Sequence, residues 1–105
     1  MRNTRKFRDY HIEKLKSRKA AEVYLQVALE EFEKDGDKET FLKVLRDVAE
    51  ARGGLSLLAA KIRLNRQNLY KALSPKGNPK LETIGAILHG LGFRLSVRSL
   101  AQMST

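Results

Sequence analysis

The chain has 105 residues, no cysteine and a formal net charge of +9. That length fits one domain and leaves little room for an elaborate catalytic cleft; without Cys there are no disulfides, no thiolate zinc sites and no thiol catalysis. A hydrophobic fraction of 42% beside 31% charged residues supports a core and excludes disorder throughout. No apolar run is long enough to span a membrane, and no apolar signal region follows the basic start Met1–Lys6, so a soluble cytoplasmic protein is expected.

Residues 1–17 read as a basic, partly flexible segment in which Phe7, Tyr10, Ile12 and Leu15 can dock a short element. Residues 18–105 read as a single helical domain. Its first helix starts after Ser17 or Arg18. Ala21, Leu25, Ala28, Leu29 and Phe32 recur at helical spacing there, with Val23, Tyr24 and Val27 widening the stripe. It ends at the turn-forming run Lys34-Asp35-Gly36-Asp37. Asp37 then caps a second helix whose buried face is Phe41, Leu42, Leu45, Val48 and Ala49, and Gly53-Gly54 stops it. The short interval between these two helices predicts an antiparallel pair.

Residues 55–73 predict two short helices with a tight break: Ser56–Ile62, then Arg63-Leu64-Asn65, then Arg66–Leu73 capped by Asn65. After the loop Ser74–Gly77, Asn78 is expected to cap the next helix with Pro79 in its first position, and Leu81, Ile84, Ile87, Leu88 and Leu91 form its stripe up to Gly90 or Gly92. Phe93–Arg98 alternates apolar and polar residues, the pattern of a half-buried strand. A lone strand needs a partner. The candidates are the same strand of a second copy, the segment around Phe7–Ile12, or a strand of another protein.

The charge is unevenly distributed. Residues 1–22 carry eight basic and three acidic side chains, residues 23–50 four and eight, and residues 51–105 nine and one. From Ala51 to Leu81 there are seven basic residues (Arg52, Lys61, Arg63, Arg66, Lys71, Lys76, Lys80) and no acid, whereas a merely solvated surface mixes signs. That stretch is the candidate polyanion face.

The same stretch has what a helix-turn-helix needs. Ala59 is small where the two helices approach, Leu58 and Ile62 face the core, Leu64 plugs the turn, and Leu69 and Leu73 hold the second helix down. Arg66, Gln67, Asn68, Tyr70 and Lys71 are left facing outward. Asn and Gln read adenine edges and Arg reads guanine, and the N-terminal part of such a helix enters the major groove. Gln67 and Asn68 are therefore the expected base readers, with Asn65 and Arg66 nearest the backbone or the outermost base. Tyr70 and Lys71 are expected on phosphates, and Ser56 brings a hydroxyl and free backbone N–H groups to another.

Residues Leu42–Val97 resemble the Cro/C1-type (Xre, lambda-repressor-like) helix-turn-helix domain. Most of the chain resembles the addiction-module antidotes of that fold, the HigA-like antitoxins. The residues that carry this are Tyr24-Leu25 with Ala28-Leu29, Val48–Gly53, Leu58-Ala59, Asn68–Ser74, Gly77-Asn78-Pro79 and Leu91–Leu95. The resemblance implies a mostly all-α, lambda-repressor-like bundle with an added N-terminal helix and one C-terminal β-strand. It also implies a homodimer on double-stranded operator DNA, nucleoid-associated when bound, that represses its own operon and neutralises a small basic RelE-like toxin, usually a ribonuclease. One departure concerns Arg63, which stands where the family turn carries Gly; a positive φ there strains Arg63 by about 1 kcal/mol, unless the turn is rebuilt, and gives its side chain a route to a phosphate.

Other readings compete. A stand-alone Xre-type regulator needs no toxin, and a protein-interaction module would use helix 18–34 and strand 93–98. Glu30, Glu31, Glu33, Asp35 and Asp37 read as a solvated acidic face or a dock for a basic toxin, and Arg2, Arg5, Lys6 and Arg8 as a tail or an arm. His11 and His89 are the only histidines, with no carboxylates at ligand spacing, so no metal, cofactor or catalytic role is expected.

Overall fold

The computed structural model describes residues 4–103, and all regular structure among them is helical. The helices are α1 (Thr4–Lys14), α2 (Arg18–Asp35), α3 (Lys38–Ala51), α4 (Leu55–Ile62), α5 (Arg66–Ala72), α6 (Leu81–Gly90) and the single turn α7 (Leu100–Met103).

Local chemistry sets most of these boundaries. The Ser17 hydroxyl accepts from the Ala20 N–H and opens α2, and Gly36 closes it in the left-handed region with its N–H on the Phe32 carbonyl at 2.7 Å. The Asp37 carboxylate accepts from the Thr40 N–H at 3.1 Å and opens α3. Gly54, at φ 91, lets the chain leave α3 while its N–H still reaches the Ala49 carbonyl at 2.8 Å.

The central element is α3, which packs against α1, α2 and α4. Its Leu42, Leu45, Val48 and Ala49 are fully buried, and they meet a core completed by Leu58 of α4, Leu69 of α5, Leu73 just after it, and Ile87 of α6. Each fully buried leucine contributes about 2 kcal/mol through removal of apolar surface from water. At the α4–α6 crossing, a Cβ on Gly90 would lie 2.7 Å from Ile62 Cγ2 and Leu58 Cδ1, so glycine sets the approach distance.

Several sequence expectations are corrected. Phe93–Arg98 forms no strand: it carries no regular structure, and no ladder pairs with it among the described residues. The internal partner considered, Phe7–Ile12, is part of α1 and has committed its backbone to a helix. Asn78 does not cap α6: the helix starts at Leu81, beyond Pro79, and the Asn78 side chain accepts from Lys38 Nζ at 3.0 Å instead. Val23 and Val27 lie on the exposed side of α2 rather than widening its buried stripe.

Candidate nucleic-acid interface

The α4–turn–α5 unit rests on α3 and α6. The turn closes with the Leu64 N–H on the Ala59 carbonyl at 3.0 Å and the Arg63 N–H on the Ala60 carbonyl at 3.4 Å. This paired closure forces the residue before Leu64 into the left-handed region. Arg63 sits there at φ 57, the one non-glycine residue with positive φ among those described.

Asn65 opens α5, its side-chain oxygen accepting from the N–H groups of Gln67 at 2.7 Å and Asn68 at 3.2 Å. Leu69 and Leu73 are fully buried and fix the rotation of the short helix. Ser56, Arg63, Asn65, Arg66, Gln67, Asn68, Tyr70 and Lys71 are all exposed. The Asn65 carbonyl oxygen is committed to the cap, which leaves only its amide N–H groups for another partner. The Arg66 guanidinium lies 5.3 Å from the Tyr70 ring centroid and donates to its hydroxyl at 3.3 Å, so the two side chains form one stacked unit along α5. Ser56 lies in the first turn of α4, where Gly54 supplies no side-chain cap and the first N–H groups stay open.

Six of the seven cations in the acid-free stretch are exposed: Lys61, Arg63, Arg66, Lys71, Lys76 and Lys80. Arg52 is not among them. It stacks on the Phe93 ring at 5.6 Å and donates to the Lys16 carbonyl at 3.2 Å, tying the end of α3 to the chain on either side. Arg46 was not picked out by sequence. From α3 it donates to the Leu73 carbonyl, satisfying the open C-terminal end of α5. Gly77 is packed against the same end, since a Cβ there would lie 2.1 Å from the Ala72 carbonyl oxygen.

The remaining candidates are occupied structurally or isolated. Arg8 is no free arm: its guanidinium bonds Asp47 at 3.2 Å and Glu50 at 2.7 Å. Arg2, and the side chains of Arg5 and Lys6, lie outside the described residues. His11 contacts the Tyr24 hydroxyl at 3.0 Å, with Asp47 3.7 Å away. Burial, then the Asp47 charge, pushes the Tyr24 phenol up, with Arg8 opposing. Asp35 accepts from the Asp37 N–H at 2.8 Å, so both acids serve the α2–α3 turn. Among the described residues no three His, Asp or Glu side chains cluster as metal ligands, and no helix is long and apolar enough to cross a membrane.

The fold and surface define a small all-α protein that presents a short, exposed, acid-free helix braced from three sides. The chain belongs to the family of probable addiction module antidote proteins, whose pattern it matches over residues 5–99. It is 32% identical over 96 residues to an uncharacterized protein of Haemophilus influenzae (strain KW20 / Rd), an alignment covering 90% of this chain and 94% of that protein. No solved structure matches the chain significantly.

Proposed function

We propose that this protein is a homodimeric, sequence-specific DNA-binding repressor and the antidote of a toxin–antitoxin pair. It represses its own operon and binds a small basic toxin of the RelE type, with no catalysis of its own. In this reading α4–turn–α5 is a helix-turn-helix of the lambda-repressor-like kind. The observation that carries it is the exposure of Gln67 and Asn68 on the first turn of a helix whose back is buried by Leu69 and Leu73, with six exposed cations in the same acid-free stretch.

The mechanism follows from these positions. Gln67 and Asn68 enter the major groove and read base edges, since their amides offer a donor and an acceptor together. Lys71, the Arg66–Tyr70 unit, Arg63 and Ser56 hold the flanking phosphates, which fix register without specifying sequence. Two subunits place two such helices about 34 Å apart, one turn of the duplex. The antidote half of the reading is supported by the family, and α2 with its exposed acids Glu31 and Glu33 is the assigned contact for a basic partner.

The test is operator binding by Gln67→Ala and Asn68→Ala. Each is expected to lose about 1–3 kcal/mol on the operator and little on unrelated DNA. Unchanged affinity and unchanged preference in both variants would remove the base-reading assignment. Co-expression with the product of the adjacent reading frame tests the antidote half, with co-purification of a small basic protein as the expected result.

A further inference from the structure

A cleft of about 620 Å³ opens where the C-terminal ends of α4 and α6 meet the residue that closes α3. Its charged lining is Arg52, Lys61 and His89, its walls are Ile62, Ala86 and Leu91, and no acid lines it. None of the residues proposed to meet DNA lines it either. Missing side chains make the space. A Cβ on Gly92, at φ 96, would meet nothing within 4 Å, and Gly90 lets α6 approach Ile62 and Leu58 of α4.

Cations in the last turn of a helix ordinarily serve the helix end, and Lys61 and His89 sit in the last turns of α4 and α6. Here the backbone already does that. The Ala59 and Ala60 carbonyls accept from the N–H groups of Leu64 and Arg63, and the Ile87, Leu88 and His89 carbonyls from those of Leu91, Phe93 and Gly92. Nor does a carboxylate pair with Arg52, Lys61 or His89 among the described residues. The two helix ends together carry about one negative charge. Arg52 and Lys61 outweigh that even with His89 neutral. Arg52 is also held in place: its guanidinium rests on the Phe93 ring at 5.6 Å, and its Nη1 donates to the Lys16 carbonyl at 3.2 Å. A guanidinium has further N–H donors, and these remain for a ligand.

We propose that this cleft binds a small phosphorylated molecule, its phosphate held by Arg52, Lys61 and His89 and its body against Ile62, Ala86 and Leu91. A guanidinium fork beside an ammonium and an imidazole N–H matches the several oxygens and multiple charge of a phosphate, whereas one arginine satisfies a carboxylate. The volume falls in the range of small-molecule sites. Bound there, the ligand ties α4 to α6 and to the end of α3, directly before the turn that leads into α5.

The test titrates the full chain with inorganic phosphate and with pyrophosphate, against sodium chloride at matched ionic strength, and follows backbone amide resonances. Saturable shifts confined to Arg52, Lys61, Ile62 and residues 89–92 are expected, with a rise in thermal midpoint that chloride does not give. Lys61→Gln and His89→Gln, both at exposed positions, are each expected to weaken pyrophosphate binding about tenfold. Ala86→Leu fills the cleft with charge unchanged and is expected to block binding, whereas Lys71→Gln leaves it intact. Shifts that never saturate, or that spread equally over Lys71, Lys76 and Lys80, reveal a general counterion atmosphere and overturn the site. A random DNA duplex that displaces pyrophosphate from the cleft makes a nucleic-acid backbone the source of the phosphate and equally overturns the proposal. Operator specificity enters none of these readouts, so the cleft and the base-reading assignment fail separately.

Discussion

Arg63 holds a backbone conformation that a side chain disfavours, at φ 57 and ψ 40. An L-residue there costs about 1 kcal/mol relative to an ordinary conformation, and glycine removes that strain while losing more entropy on folding. Arg63→Gly is therefore expected to stabilise the fold by about 0.5 kcal/mol in chemical denaturation. The same variant is expected to bind operator more weakly, through loss of a phosphate contact. An R63G protein that unfolds more easily than the parent would remove the strain argument. The pH behaviour of Asp37 is a second residue-scale matter. The Thr40 hydroxyl, and then its backbone N–H, hold the Asp37 carboxyl below its ordinary value of 3.8. A carboxylate with a depressed folded pKa contributes stability above its unfolded pKa and loses it as pH falls through the folded value. Urea midpoints should thus fall as pH drops below about 3.8, and Asp37→Asn, which keeps a capping oxygen, should flatten that part of the profile.

Among the elements, the placement of α5 depends on its neighbours more than on its own seven residues. Gly77→Ala is expected to cost about 3 kcal/mol, since the new methyl meets the Ala72 carbonyl, which is backbone and cannot move aside. Gly90→Ala meets only the side-chain ends of Ile62 and Leu58 and is expected to cost about 1 kcal/mol. Thermal or urea unfolding of the two variants checks the order. Arg8 of α1, at 3.2 Å, and Lys43 of α3 itself, at 3.5 Å, accompany an Asp47 carboxylate that is 1% exposed, with its Oδ2 lacking a hydrogen bond. Arg8→Ala should speed amide exchange in α1 more than in α3–α6, because the contact holding α1 to α3 is lost. These contacts also mark what the sequence discloses. The caps by Asp37 and Asn65 were legible because a cap is a bond between residues two or three apart. Leu69 and Leu73 were legible from helical spacing. The brace from Arg46 to Leu73, the diversion of Arg52 onto Phe93, the burial of Asp47 under Arg8 and the loss of Asn78 to Lys38 were not. Each joins positions far apart in the chain, and charged residues on a helix read as solvated until a neighbour covers them. The strand read from the alternation in Phe93–Arg98 does not form among the described residues, because alternation marks a half-buried face only where a ladder pairs with it.

At the scale of the whole molecule, the net charge of +9 is less informative than its division into an acidic middle, where residues 23–50 carry eight acids against four bases, and a basic second half. Bound to DNA, each neutralised phosphate releases condensed counterions, and log affinity falls against log salt with a slope of about −0.9 per contact in B-form duplex. Lys71→Ala in a dimer removes two such contacts, so its slope should be shallower by about 2, with affinity lowered alike on operator and random duplex. Arg52→Ala is the control. Its guanidinium is spent on Phe93 and the Lys16 carbonyl, so its loss should lower stability while leaving the salt slope where it was. Titrations from low to moderate salt on both duplexes separate the outcomes. A Lys71 variant that changes sequence preference makes that residue a base reader rather than a phosphate clamp, and an Arg52 variant that flattens the slope returns Arg52 to the proposed nucleic-acid face despite its contacts with Phe93 and the Lys16 carbonyl.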